Sequence, residues 1–401
     1  MHRPLLLSLL LLPGVGAEAQ WTQRNSATTQ DLYAVHFPND TGFAVGYYGT
    51  VIRSTDRGQS WAPISFPNTG DLRSTWFMDG LHGYVAGDSG LFHTGNGGAD
   101  WEAISTPVQE PWRHLAFRNA QLGFCGGGDF SSGTLMRTLD GGETWEVVYS
   151  GAAAPIEAID IPNDTTVYAV SLGYSSEVLR SMDSGSTWDT VPIQPANVVS
   201  NLEAVHFTDA NTGYAGGWYL PDFVRTVDGG STWTEVLPGV TFNVYDIAFA
   251  SPQQGLAVGW NGAIQHTYNG SDWVDESWPE TTWTFYSADM LDDTTAVVVG
   301  DAGHLLRWSS ATTGVPAMAK RSVRIAVHPS PATDWLTLDS DTPLPADARF
   351  ELRDVRGSVV MDATAKSNTR MELADIPPGS YVWRCAVRGI TLASGKVVLA
   401  R

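Results

Sequence analysis

The feature that most limits what this chain can become is a short pattern, Ser/Thr-x-Asp-x-Gly-x-Ser/Thr-Trp, which occurs at residues 54–61, 138–145, 181–188 and 226–233. Two altered copies stand at 94–101, where Asn96 replaces the Asp, and at 267–273, which is one residue short. The steps between successive tryptophans from Trp61 to Trp273 are 40, 44, 43, 45 and 40 residues. A unit of this length recurring in one order is a single supersecondary piece that must stack on its neighbours to bury a core.

Each copy reads as strand, turn, strand. Asp56, Asp140, Asp183 and Asp228 can accept hydrogen bonds from turn amides, while Gly58, Gly142, Gly185 and Gly230 supply a left-handed turn position. Trp61, Trp145, Trp188 and Trp233 then open the next strand and lay their rings across the hairpin. Most units also hold a Gly-x-x-x-Gly run, such as Gly42 to Gly46 and Gly213 to Gly217, preceded by an alternating segment such as Leu32 to Phe37 or Leu202 to Phe207. Four short strands per unit predict a propeller blade. Inner strands are expected to start near Leu32, Leu72, His114, Glu157, Leu202, Val244 and Phe285. The seventh unit stops before its fourth strand, so Trp21 to Arg24 are expected to complete it and close the ring.

The expected fold class is therefore all-β: a seven-bladed β-propeller over residues 20–310, followed by a small antiparallel β-sandwich. The repeats resemble the Asp-box (BNR) repeats of sialidases and sortilin-type receptors. Their spacing and order are most similar to the single seven-bladed propellers of the photosystem II assembly-factor family. In those relatives the resemblance associates basic clusters with partner binding.

Charge separates the two parts of the chain. Residues 20–319 hold 10 Arg, no Lys and 33 acids, whereas residues 320–401 hold 12 basic and 9 acidic side chains. So acidic a propeller argues against nucleic acid as a partner. Residues 311–322 read as a linker and 323–401 as alternating strands. This last stretch resembles the type A C-terminal sorting domain of the type IX secretion system of Bacteroidota. The matching elements are the Pro329–Pro331 turn, the strand ending at Gly357, the segment reaching Gly379 and the closing strand around Lys396. The resemblance implies the type IX secretion machinery as a partner.

At the other end, Arg3 precedes the apolar run Leu5 to Leu12, and Ala17-Glu18-Ala19 offers a small-x-small cleavage pattern. Residues 1–19 are therefore expected to be a signal peptide, and no stretch is expected to span a membrane. With the sorting domain, this predicts an exported protein, at the cell surface or extracellular.

In such a propeller the hairpins between second and third strands share a face with the connections between blades. On that rim Tyr47, Tyr48, Asp129, Tyr174, Trp218, Tyr219, Asp222 and Trp260 are the candidate binding residues. A basic position before each turn, Arg53, His93, Arg137, Arg180, Arg225, His266 and Arg307, recurs in every blade and is expected to be structural. Cys125, beside three glycines, reads as a buried small residue. No metalloprotease, nucleophile-elbow or P-loop pattern is present, no catalytic residue is assigned, and no cofactor or metal is expected. The expected function is that of a surface module binding an unknown surface protein or glycan, with a divergent glycoside hydrolase as the alternative.

Overall fold

In the computed structural model each alternating segment becomes the inner strand of a four-stranded antiparallel sheet. The structure describes residues 20–152, 154–173, 178–191, 201–218, 223–237, 242–278, 282–310, 325–328, 332–340, 344, 348–353, 359–366, 369–373, 376–387 and 390–400. Residues 1–19 and 311–322, and with them the leader and linker, lie outside the described residues. So do Tyr174, Tyr219, Asp222, Pro329, Pro331 and Gly357.

Six blades are sequential, at residues 32–64, 72–103, 112–152, 156–191, 202–235 and 244–275. The seventh takes three strands from residues 285–309 and its outer strand, Gln20–Arg24, from the start of the chain. Trp21 lies opposite Trp308 in that ladder, and its indole nitrogen donates to Glu276, the residue after blade 6, at 3.1 Å. The third and fourth inner strands begin at Trp112 and Ile156, one or two residues before the expected starts, because fully buried apolar side chains occupy these first positions.

Two glycines explain the Gly-x-x-x-Gly run. A Cβ on Gly42 would stand 2.2 Å from the Phe37 ring, and one on Gly46 would stand 1.8 Å from the Asp31 carbonyl oxygen. The first glycine makes room for the aromatic that ends the inner strand; the second lets the blade-to-blade connection run against the second strand. Phe37 then meets Trp61 edge to face, with ring centroids 5.5 Å apart, and Phe117–Trp145 and Phe207–Trp233 repeat the contact.

The Asp turns are closed by their own side chains. In blade 3 Thr138 Oγ1 accepts from the Gly142 amide at 2.8 Å, and Asp140 accepts from the Thr144 amide at 2.9 Å. The Trp145 indole donates to the Gly142 carbonyl at 3.1 Å. The Thr144 hydroxyl, then the Thr144 amide and the Thr138 hydroxyl, donate to Asp140 and hold its carboxyl at about 2, below the usual carboxylate range. The blade 2 copy keeps the same geometry with Asn96, whose side-chain oxygen accepts from the Asp100 amide at 2.9 Å.

In four blades the recurrent basic position donates to the next blade. Arg53 donates to the Gly97 carbonyl at 3.4 Å, Arg137 to Ser184 at 2.7 Å, Arg180 to Gly229 at 3.2 Å and Arg307 to Arg57 at 2.7 Å. Tyr168 makes a parallel bond to Gly229 at 3.1 Å. Inner strands are clasped as well: His36 Nδ1 accepts from the Phe77 amide at 3.1 Å, and Asp160 accepts from the Phe207 amide at 2.9 Å. Burial lowers His36 to about 4, so the ring is neutral and free to accept.

By contact the chain divides into two compact units, with the propeller inside Glu18–Ala311. The C-terminal unit pairs a three-stranded sheet (Ile325–His328, Trp335–Ser340, Thr369–Glu372) with a four-stranded one (Arg349–Arg353, Val359–Thr364, Gly379–Val387, Ile390–Leu399). Leu336, Leu338, Phe350, Leu352 and Trp383 form its core. Gly379 opens one strand of that sheet, and Lys396 lies within the next. Cys125 and Cys385 are both free and buried, and burial pushes both thiols up. No helix among the described residues is long and apolar enough to cross a membrane.

Candidate binding site at the mouth of the central channel

The inner strands of all seven blades enclose a cavity of about 890 Å³. In each strand the first residue is fully buried between blades, so by the two-residue period of a strand the second turns to the channel. In order around the ring, these second residues are Arg73 and Arg113 from blades 2 and 3, then Glu157 and Glu203 from blades 4 and 5. Tyr245, Tyr286 and Tyr33 from blades 6, 7 and 1 complete it.

The tyrosines form a locked arc. Tyr33 and Tyr286 meet edge to face at 5.3 Å, Tyr286 and Tyr245 at 5.5 Å, and Trp218, from the blade 5 hairpin, extends the arc onto Tyr245 at 6.0 Å. At its other end the Arg73 guanidinium stacks 4.3 Å above the Tyr33 ring and pairs with Asp71 at 2.9 Å. Burial outweighs this nearby cation and pushes Tyr33 up to about 12.

The remaining charges are less committed. Among the described residues Arg113, Glu157 and Glu203 make no hydrogen bond or close ion pair, and the Arg113 Nε is buried without a partner. Burial, and then the Glu157 charge, push Glu203 up to about 8 against the opposing pull of Arg113 and Arg73. Glu157 is raised by the same burial.

The rim residues expected from sequence separate here. Trp218 lines the cavity, joined by Phe130, which is 77% exposed on the blade 3 hairpin. Tyr47, Tyr48 and Trp260 are exposed on the hairpins of blades 1 and 6 and do not line it. Asp129 is spent on its own hairpin, accepting from the Ser131 and Ser132 amides at 2.7 and 3.0 Å. Sequence reasoning misses the ring itself because its residues differ in type from blade to blade, so no motif marks them. Superimposing the alternating segments and reading down their second position would find it. Among the described residues no group of three or more His, Cys, Asp or Glu is placed to hold a metal.

Residues 15–111 match the family described as photosynthesis system II assembly factor YCF48. The similarity is to photosystem II assembly factors. The assembly lipoprotein Ycf48 of a Synechococcus strain is 23% identical over 75% of this chain and 96% of its own length. The stability/assembly factor HCF136, chloroplastic, of Arabidopsis thaliana is 24% identical over 67% of this chain and 72% of its own. A solved YCF48 bound to D1 peptide superposes with a TM-score of 0.61 at 20% identity, over 72% of this chain and 97% of that one, and so shares the fold.

These relatives correct two expectations. A surface module for glycans or surface proteins, and its glycoside hydrolase alternative, do not stand, because the similar proteins are named as photosystem II assembly factors and one is solved with a protein peptide. Placement at a Bacteroidota cell surface or outside the cell also does not stand, because these relatives are a cyanobacterial lipoprotein and a chloroplast factor.

Proposed function

We propose that the propeller is an assembly-type factor that holds an extended segment of a client protein at the mouth of its channel. The observation that carries this reading is the ring of uncommitted charge and locked aromatic rings around one cavity. Backbone and side chains of an extended segment can stack on the tyrosine arc while polar groups meet the charged half. The related YCF48 solved with a D1 peptide supports a protein segment as the ligand class. The exposed Tyr47, Tyr48 and Trp260 would then be outlying contacts, and Trp218 a central one.

The test is panning of a library of short random peptides on the full chain. Peptides should be enriched, and they should lose binding to Trp218→Ala and Tyr245→Ala proteins that keep the wild-type circular dichroism. Enrichment indifferent to both changes, or no enrichment, would overturn the reading.

For the C-terminal sandwich we infer the sorting role that its ordered motifs resemble, with the type IX machinery as partner. Its support is the order of elements from Pro329 to Lys396. Co-purification of that machinery with a reporter fused to residues 323–401 tests it, and a reporter that retrieves no component counts against it.

A further inference from the structure

We propose that Arg113, Glu157 and Glu203 form a two-pole receptor that fixes the direction of the bound segment, the two glutamates taking a lysine or arginine side chain and Arg113 taking a carboxylate or carbonyl oxygen. This rests on the channel mouth being the peptide site.

Of the four charged ring residues, Arg73 is already committed, stacked on Tyr33 and paired with Asp71. Arg113, Glu157 and Glu203 follow one another on three adjacent inner strands, all facing the same cavity. Among the described residues none makes a hydrogen bond or a close ion pair, and the Arg113 Nε, like that of Arg73, is buried without a hydrogen bond. Buried polar groups are normally paired, so an orphaned guanidinium nitrogen beside two carboxyls with no hydrogen bond, all lining one cavity, leaves places for groups of a ligand.

Glu157 and Glu203 follow one another on adjacent strands, and burial, then the charge of Glu157, raise the cost of ionising Glu203, which holds a proton at neutral pH; a cation between them displaces that proton and satisfies both carboxylates. The wall beside Glu203 favours the same occupant. Tyr245 neighbours it on the next blade, with the Trp218 ring 6.0 Å from Tyr245, so the stem of a lysine or the plane of an arginine would lie along aromatic surface. At the opposite pole Arg113 is the one uncommitted ring cation among the described residues, and a buried guanidinium donor is best satisfied by a carboxylate or carbonyl oxygen. The tyrosine arc carries no net charge and completes the circle without competing for either pole.

The experiment uses the panned peptides that depend on Trp218. Each is remade with its lysines changed to norleucine, and separately with its acids changed to the amides, and titrated against wild type, Glu203→Gln and Arg113→Gln. Norleucine is expected to cost about tenfold in affinity on wild type and almost nothing on Glu203→Gln. Amides should behave in the same way with Arg113→Gln, unless the peptide meets that pole through a backbone carbonyl, in which case Arg113→Gln alone should weaken every peptide. Additive losses, or Trp218-dependent peptides that carry no basic residue, would overturn this receptor while leaving the peptide site standing. Absence of any Trp218-dependent peptide would overturn both. Circular dichroism and unfolding midpoints of the two variants separate loss of fold from loss of a pole.

Discussion

Arg137 donates through Nη1 to the carbonyl oxygen of Ser184 at 2.7 Å, so the third strand of blade 3 is bonded to the turn of blade 4. The same side chain pairs with Glu146 within its own blade at 2.6 Å. Because Glu146 is well exposed, that pair contributes little, and the carbonyl bond carries the effect. Arg137→Met is expected to lower stability by about 1.5–3 kcal/mol, read as a shift of the urea midpoint at unchanged slope.

Gly58 is placed to report on packing between the first and last blades. Its φ is +77°, and a Cβ there would stand 2.7 Å from a methyl of Val297 in blade 7. Gly58→Ala should cost about 3 kcal/mol, part from the left-handed backbone and part from the overlap. In a Val297→Ala background only the backbone part should remain, about 1 kcal/mol, and a double-mutant cycle of denaturation measurements checks this.

How much of this is legible in the sequence depends on whether the chain repeats it. The Asp turns, the paired glycines and the basic positions recur with fixed spacing because each blade solves the same packing problem, and all can be read as units from the order of residues alone. Their partners cannot: that Arg137 reaches Ser184 follows from the placing of neighbouring sheets, which no local pattern encodes. The ring is obscured for a different reason. Tyr33, Arg73, Glu157 and Tyr286 share a position and a direction but no chemistry, so only register aligns them. The hairpin aromatics suggested by type alone, Tyr48 and Trp260, sit away from the cavity for the same reason.

Closure of the ring depends on a five-residue ladder between Gln20–Arg24 and Leu305–Ser309. Trp21→Ala should cost about 3–5 kcal/mol by emptying its buried site and leaving Glu276 without one donor. Hydrogen exchange should then show blade 7 losing protection before blades 3 and 4. Uniform loss across all blades would contradict a local role for this strand.

Acid dependence follows from the inner clasps. Asp289 accepts from the Phe37 amide at 2.6 Å, and burial raises its carboxyl to about 7. A carboxyl raised above its unfolded value holds a proton in the folded protein that the unfolded chain has released. Its contribution is therefore full below about pH 4 and is lost as the pH rises through about 7. Asp289→Asn, which keeps an acceptor for Phe37, should flatten the fall in stability across that window, as measured by thermal unfolding at a series of pH values. An unchanged slope would show that another group governs it.

The ladder that closes the propeller pairs Gln20 with Ser309, so both ends of the toroid leave it at one point. Tension between those ends would meet the ladder bonds one after another, as in the peeling of a seam, and would not load all of them together as a lap joint does. The toroid thus has a mechanical weak line along the strand of blade 7 that residues 20–24 supply.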